Sequence, residues 1–213
     1  MTQVPAIYVL AGVNGSGKSS IGGAALRSRG VEYYNPDEAA RQIRSIHPSM
    51  TQAIANGHAW TLGRDLLVSA IVKQQTFVFE TTLGGTSITE LLIEAAQKGF
   101  RVKVWYAGLN SVELNIGRVQ QRVAQGGHDI PENKIRQRWD SSRRNLIKLL
   151  AHLHSIRLFD NSMEADPKAG QAPEPKLLLH VEAGRIVNPE DLSGAPEWAK
   201  PIIAAAMVAY EGR

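Results

Sequence analysis

Gly12-Val13-Asn14-Gly15-Ser16-Gly17-Lys18-Ser19 follows directly on the apolar run Ala6-Ile7-Tyr8-Val9-Leu10-Ala11. The octapeptide fits the pattern of a glycine, four free residues, Gly-Lys and then Ser or Thr, which is typical of a loop that holds phosphate groups. A strand that runs into a glycine-rich turn and then a helix directs backbone N–H groups and the positive end of a helix dipole at one small volume. The sequence therefore predicts a phosphate site rather than an ordinary glycine-rich turn.

The fixed positions of this loop each have a predicted task. Gly15 and Gly17 let the backbone approach the phosphates, because they carry no side chain. The Lys18 ammonium can reach the β and γ oxygens, and the Ser19 hydroxyl can hold Mg²⁺. ATP and Mg²⁺ are accordingly the expected cofactors. The residues expected to contact the nucleotide are Gly12, Asn14, Gly15, Ser16, Gly17, Lys18, Ser19 and Ser20.

The composition suits a single α/β domain. The chain has 213 residues, 43% of them hydrophobic, which is enough to bury a sizeable core. It contains no cysteine, which excludes disulfides and thiol chemistry, and its net charge of +4 suits an enzyme of anionic substrates as well as a nucleic-acid binder. The short apolar run near the N-terminus leads into the phosphate loop, and no run approaches the roughly 18 residues of a spanning helix. We expect a cytoplasmic protein without a signal peptide or membrane segment.

Strand-like and helix-like periods alternate along the chain, which predicts a parallel sheet covered by helices. A C-terminal extension from about residue 163 is expected to add a hairpin over 177–187, with Ala183-Gly184 at its turn, and a closing helix over 196–211. The predicted strands are 7–10, 31–34, 76–80, 102–107 and 156–160, and the predicted helices are 18–28, 37–46, 50–75, 87–98, 112–124 and 131–153.

Asp37 follows the second predicted strand, in the stretch Tyr33-Tyr34-Asn35-Pro36-Asp37-Glu38. Asn35 can cap the next helix and Pro36 can occupy its first turn. Ligands of open α/β sheets bind beyond the carboxyl ends of the strands, so Asp37 is predicted to face the γ-phosphate and to accept the proton of an attacking hydroxyl. The alternative is that this carboxylate only complements the helix dipole.

Glu80 ends the third predicted strand, Thr76-Phe77-Val78-Phe79-Glu80, and Thr81-Thr82 follows it. A carboxylate at a buried strand end is costly without a partner. Glu80 is therefore predicted to hold Mg²⁺ through water or to orient the substrate, and a structural pair with an arginine is the alternative.

The helices on either side of Gly126-Gly127 carry six arginines and are predicted to form a lid over about residues 118–145. Closing such a lid would bring guanidinium groups onto a transferring phosphoryl group and exclude water. Most of these arginines are expected on a solvated face, whereas Arg122 and Arg138 are predicted to touch phosphate. His128, in the connecting loop, is interpreted as a loop residue rather than a catalyst. The six are Arg118, Arg122, Arg136, Arg138, Arg143 and Arg144.

In the order and content of its motifs the chain resembles the zeta-toxin-like P-loop kinase family. The resemblance covers roughly residues 5–162. It implies a P-loop NTPase of the kinase type, with a three-layer α/β fold, a five-stranded parallel sheet and a helical lid. It also implies transfer of the ATP γ-phosphate to a hydroxyl, in the toxins the 3′-hydroxyl of UDP-N-acetylglucosamine, and a possible antitoxin partner. Besides the phosphate loop, the motifs are Asn35-Pro36-Asp37-Glu38, Phe79-Glu80-Thr81-Thr82-Leu83, Gly126-Gly127-His128-Asp129-Ile130-Pro131 and Leu158-Phe159-Asp160-Asn161-Ser162.

The resemblance assigns roles residue by residue. Lys18 and Ser19 match the nucleotide site, and Asp37 matches the catalytic base. Glu80 and Thr82 match the acid and the hydroxyl that face the substrate.

The two lid arginines of the family are matched by Arg122 and by either Arg138 or Arg136. Gly84 departs from the family pattern, because the toxins carry a basic residue after the Thr-Leu pair. Phosphoryl transfer is therefore better supported than a UDP-sugar acceptor.

A small hydroxyl-bearing metabolite or a nucleotide sugar is the expected acceptor. A nucleic-acid end kinase and a nucleotide-dependent regulatory ATPase are the alternatives. A nucleic-acid end kinase would need aromatic side chains among its basic residues, on which bases can stack. Trp139 is interpreted instead as a core residue, because it lies at helical spacing from Ile135 and Leu146. Nucleic acid is accordingly not the expected partner.

Overall fold

A computed structural model describes residues 4–23, 26, 28, 32–127, 129–163, 174–188 and 193–210. In chain order its elements are β1 (Ala6–Ala11), a π-helical turn (Ser19–Gly23), α1 (Pro36–Ile46), α2 (Gln52–Val72), β2 (Phe77–Thr81), α3 (Thr86–Gln97), β3 (Arg101–Gly108), α4 (Val112–Ala124), α5 (Glu132–Leu149), a 3-10 turn (Leu150–His152), β4 (Ser155–Asp160), β5 (Lys176–Glu182), β6 (Arg185–Asn188) and α6 (Lys200–Tyr210).

The strands form one sheet in the order β2-β1-β3-β4-β5-β6. The first four are parallel, and β5 and β6 continue the sheet as antiparallel strands. The predicted α/β fold is confirmed. The composition of the sheet differs from the prediction, because four of the five predicted parallel strands pair in it and the C-terminal hairpin extends it.

The predicted strand 31–34 contributes only a single parallel bridge, between Tyr34 and Phe79. The Tyr34 N–H donates to the Val78 carbonyl at 2.9 Å, and the Glu80 N–H donates to the Tyr34 carbonyl at 2.8 Å. The ladder ends there because Pro36, which has no N–H, begins α1. Residue 31 lies outside the described residues.

The hairpin forms where it is predicted. Ala183 and Gly184, between β5 and β6, have φ angles of 50° and 76°. Two successive left-handed residues are typical of the tight turn whose twist matches antiparallel strands.

The largest group of buried apolar side chains extends from Ile7 on β1 to Tyr210 on α6. Trp198, just before α6, packs directly on Gly108 at the end of β3, where an added Cβ would lie 2.1 Å from the ring. The C-terminal extension is therefore part of the same core as the phosphate-loop strand. Two smaller apolar groups join α1 to α2 and α4 to α5.

The helices agree closely with the predicted ones. Helix α4 has the predicted bounds, and α5 ends at Leu149, with the 3-10 turn continuing to His152. Of the predicted helix 18–28, a π-helical turn over Ser19–Gly23 is described. Within the described ranges, no helix combines the length and the apolar character needed to cross a membrane.

Candidate active site

The phosphate loop leaves β1 through three glycines in conformations that L side chains rarely adopt. The φ angles of Gly12, Gly15 and Gly17 are 134°, 77° and 82°. At Gly12 a Cβ would also lie 2.2 Å from the Ala107 carbonyl oxygen, so only glycine fits beside β3. Ser16, at the centre of the loop, is fully buried, and its hydroxyl has no hydrogen-bond partner in the described part of the chain. A buried donor of this kind suits a phosphate oxygen.

Lys18, Ser19 and Glu80 form a polar cluster where β1 and β2 end, with Lys18 and Glu80 buried and Ser19 half-buried. The Lys18 ammonium donates to the Val13 carbonyl at 3.0 Å and lies 3.7 Å from one Glu80 carboxylate oxygen. The Ser19 hydroxyl donates to the other oxygen at 2.8 Å. The ion pair and the hydrogen bond offset the cost of burying the Glu80 carboxylate. Its ionic partner is therefore the loop lysine rather than an arginine.

The same cluster fits a magnesium ion by the chemistry of its donors. Mg²⁺ prefers oxygen ligands and is usually held by one or two protein groups together with water and phosphate oxygens. Ser19 and Glu80 supply a hydroxyl and a carboxylate side by side. Among the described residues no group of three or more histidine or acidic side chains could hold a metal ion. The pair Ser19 and Glu80 matches a site of this two-ligand type.

Asp37 is held at the amino end of α1 by Asn35. The Asn35 side-chain oxygen accepts from the Asp37 N–H at 2.9 Å and from the Glu38 N–H at 3.3 Å. Its amide nitrogen donates to Glu80 at 3.4 Å. Asn35 is thus the helix cap that the sequence predicted. It also links the candidate base Asp37 to the candidate metal ligand Glu80, and the sequence did not indicate this link.

The two predicted lid arginines reach Asp37 and the phosphate loop from α4 and α5. Arg122 lies 3.7 Å from the Asp37 carboxylate. Arg138 donates to the Asn14 side-chain oxygen at 2.9 Å. Burial lowers the pKa of Arg138, and the nearby Asp37 charge opposes this shift.

Three of the four remaining arginines of the two helices, Arg118, Arg136 and Arg143, have structural partners. Arg136 pairs with Glu132 at 2.8 Å and with Glu113 at 3.2 Å on the surface, so Arg138 rather than Arg136 reaches the site. Arg118 donates to the Asn161 and Met163 carbonyls.

Trp139 is not a core residue, contrary to the sequence interpretation. It is only partly buried, and the Arg143 guanidinium lies 4.8 Å from the centre of its ring. Arg143 also pairs with Asp140 at 2.7 Å. The indole therefore forms a cation–π contact on the helix surface.

Two asparagines that the sequence analysis did not select brace the phosphate loop. The Asn115 amide, fully buried on α4, donates to the Asn14 carbonyl. The Asn161 amide, just after β4, donates to the Ser16 carbonyl at 2.9 Å. Asn161 lies in a motif that carried the family resemblance, whereas nothing local to Asn115 distinguishes it from other polar helix residues.

Thr82 lies in the turn that leads from β2 to α3. Its hydroxyl accepts from the Gly84 N–H at 3.3 Å, and its carbonyl accepts from the Ser142 hydroxyl at 2.6 Å. The turn is therefore attached to α5. Ser20 falls in the π-helical turn, and His128 lies outside the described residues.

A cavity of about 250 Å³ opens beside these groups. Its lining includes Asp37, Glu80 and Arg138, together with Trp60 on α2 and Lys134 on α5. Its lining is a mixture of acids, bases, hydroxyls and aromatic rings. Such a compartment can hold a small molecule against the candidate base.

A buried phosphate loop at the carboxyl edge of a parallel sheet, with a carboxylate and arginines facing it, defines a P-loop fold of the kinase type. A family model described as Zeta toxin matches residues 2–165. The chain belongs to the zeta toxin family.

Other proteins are similar to this chain in sequence or in fold. An uncharacterised protein of Haemophilus influenzae is 35% identical over 129 residues, which are 60% of this chain and 88% of that protein. The crystal structure of AvrRxo1-ORF1:-ORF2 with ATP superimposes with a TM-score of 0.66 at 16% identity, covering 96% of this chain and 64% of that one. This chain thus spans less than two thirds of the AvrRxo1 chain.

A toxin–antitoxin system, PezAT of Streptococcus pneumoniae, superimposes with a TM-score of 0.54 at 14% identity over 98% of this chain and 86% of that one. At such low identities the likeness of both structures shows the fold alone.

Proposed function

We propose that the protein is an ATP-dependent kinase that transfers the γ-phosphate of ATP to a hydroxyl group of a small molecule. The observation that carries this proposal is the cavity of about 250 Å³ whose wall includes Asp37, Glu80 and Arg138. Phosphoryl transfer to a bound hydroxyl requires a carboxylate, a phosphate site and cations around one compartment, because catalysis consists mainly of positioning and charge stabilisation.

The phosphate loop would bind ATP. Its backbone N–H groups, the Lys18 ammonium and the buried Ser16 hydroxyl are the donors for the phosphates. Ser19 and Glu80 would hold Mg²⁺, which when bound neutralises charge on the phosphate oxygens.

Asp37 would act as the general base. Its carboxylate takes the proton of the acceptor hydroxyl while the hydroxyl oxygen forms a bond to the γ-phosphorus. The bond from that phosphorus to the oxygen bridging to the β-phosphate breaks, and ADP leaves. Asp37 then returns the proton to water. Arg122, 3.7 Å from this carboxylate, and Arg138 would stabilise the negative charge of the phosphoryl group in transit.

The acceptor is proposed to be a hydroxyl-bearing metabolite or a nucleotide sugar such as UDP-N-acetylglucosamine. The compartment is small, and the acids and hydroxyls of its lining suit the hydroxyl groups of such an acceptor. A polynucleotide would instead need a continuous basic surface and would bind with a steep dependence on salt.

An antitoxin protein is proposed as a partner. Support comes from membership of the zeta toxin family and from the likeness in fold to the PezAT toxin–antitoxin system.

Incubation with Mg²⁺ and ATP radiolabelled at the γ-phosphate tests the proposed function. One reaction contains UDP-N-acetylglucosamine and another contains an oligonucleotide with a 5′-hydroxyl. We expect label on the small molecule, loss of that label in Lys18→Ala, and no loss in Lys98→Ala, because Lys98 lies exposed on the surface beside Glu94. Label on the oligonucleotide alone would contradict the acceptor class.

A further inference from the structure

Three residues on one face of α5 contact the active site and the turn beside it. Arg138, Ser142 and Asn145 are spaced so that they share this face. Ser142 and Asn145 are buried, and they donate to backbone carbonyls of the turn between β2 and α3. The accepting carbonyls are those of Thr82 for Ser142 and of Leu83 and Gly85 for Asn145, at 2.6, 2.7 and 3.0 Å.

A buried tyrosine orients this contact. The Tyr106 hydroxyl lies 2.9 Å from the Ser142 hydroxyl. Since the Ser142 proton goes to the Thr82 carbonyl, Tyr106 is the donor to Ser142. Burial raises the pKa of Tyr106 to about 12, so it keeps this proton across the working pH range. These hydrogen bonds fix the carboxyl half of α5 to the turn between β2 and α3. They also fix the position of Arg138, which lies one helical turn before Ser142.

Gly84 lies at the place where Arg138 crosses this turn. A Cβ added to Gly84 would be 3.0 Å from the Arg138 Cγ and 3.2 Å from the Thr82 hydroxyl oxygen. These distances are shorter than ordinary van der Waals contact, and the φ of Gly84 is not among the left-handed values. A side chain at position 84 would therefore have to shift Arg138 or Thr82 by a few tenths of an ångström, whereas the backbone conformation there does not call for glycine.

We infer that Gly84 is a positioning residue for Arg138. Because position 84 has no side chain, the aliphatic part of Arg138 lies across the turn and the guanidinium reaches the phosphate loop at Asn14. The cation is then preorganised over the phosphates instead of being ordered during the reaction, which increases its value to the transition state. This inference rests on the proposed function, because it assigns Arg138 to the transferring phosphoryl group.

A double-mutant cycle tests this inference with a readout that needs no acceptor. The dissociation constants of Mg·ADP and of Mg·ADP with aluminium fluoride, which mimics the phosphoryl group in transit, are measured for wild type, Gly84→Ala, Arg138→Ala and the double variant. We expect Gly84→Ala to weaken binding of the aluminium fluoride complex about tenfold or more while leaving ADP binding nearly unchanged, since small misplacements of such groups are costly. In the Arg138→Ala background the same Gly84→Ala change should have almost no effect.

Gly117→Ala serves as the matched control, because a Cβ there meets no atom within 4 Å. The inference would be overturned if Gly84→Ala weakened binding of the aluminium fluoride complex equally in the presence and in the absence of Arg138. It would also be overturned if Gly84→Ala weakened binding of Mg·ADP and of the aluminium fluoride complex equally. Failure of the wild-type protein to bind either complex would instead contradict the proposed function itself.

Discussion

Glu80 is a residue whose role was predictable in kind but not in partner. A carboxylate that ends an apolar strand must be compensated, and the predicted partners were magnesium through water, the substrate or an arginine. The structure pairs it with Lys18 and Ser19, both from the phosphate loop. The partner could not be read from spacing, because the register that aligns Ala11 with Thr81 joins segments far apart in the chain.

Arg122 should matter to turnover more than to nucleotide binding. It lies 3.7 Å from Asp37, and its charge would count most while the phosphoryl group is in transit. We expect Arg122→Ala to lower kcat by about 10³-fold, the scale typical of arginines at such sites, with little change in ATP affinity.

Arg136→Ala is the control for Arg122, because this arginine pairs with Glu132 and Glu113 on the surface. Steady-state kinetics and calorimetric titration with ATP distinguish the two variants. Similar kcat values for both would show that α4 supplies no catalytic cation.

Helices α1 and α2 together position Asp37, and Tyr34 attaches them to the sheet. The Tyr34 backbone bridges to β2, the Tyr34 hydroxyl donates to the Ala59 carbonyl of α2, and the Tyr34 ring lies against Gly63. A Cβ on Gly63 would be 2.5 Å from the ring. The sequence analysis predicted a full strand over 31–34. The sequence does not indicate how many residues of such a run pair with a neighbouring strand, and in the structure only Tyr34 is bridged to β2.

Gly63→Ala should displace Tyr34 and, with it, the start of α1. We expect kcat to fall by about tenfold or more, since a shift of roughly 1 Å in a catalytic group can cost that much, while ATP affinity stays near that of the wild type. Gly57→Ala, on the same helix with nothing within 4 Å of the added Cβ, should leave kcat unchanged. An equal fall in kcat for both variants would mean that a substitution anywhere on α2 lowers kcat, and that the contact between Gly63 and Tyr34 has no special role.

At the scale of the whole molecule, much of the fold was predictable from periodicity and turn chemistry. The alternation of strands and helices and the turn at Ala183-Gly184 are local signals, and the structure confirms both except for the strand predicted over 31–34. Contacts between distant segments were not predictable. Asn115 braces the phosphate loop from α4, and Trp198 packs on Gly108, yet neither has a distinctive local pattern.

The C-terminal helix should contribute to global stability and not to the site. The Tyr210 hydroxyl donates to the Leu150 and Leu153 carbonyls within the core. We expect Tyr210→Phe to lower the free energy of unfolding by about 1–2 kcal/mol, through loss of a buried hydrogen bond. Val208→Ala, on an exposed part of the same helix, should change it by less than about 0.5 kcal/mol. Urea denaturation measures both, and an unchanged midpoint for Tyr210→Phe would contradict this role.

The proposed kinase function depends most on Asp37 as the general base. The substitution Asp37→Asn preserves the shape of the side chain but cannot accept a proton, and it leaves the Asn35 cap of α1 intact because that cap binds the backbone. The decisive measurement is the rate of phosphoryl transfer from ATP by Asp37→Asn, set beside its dissociation constant for Mg·ATP. We expect a rate lower by about 10²-fold or more with an ATP affinity close to that of the wild type. Transfer at the wild-type rate would contradict the assignment of Asp37 as the general base.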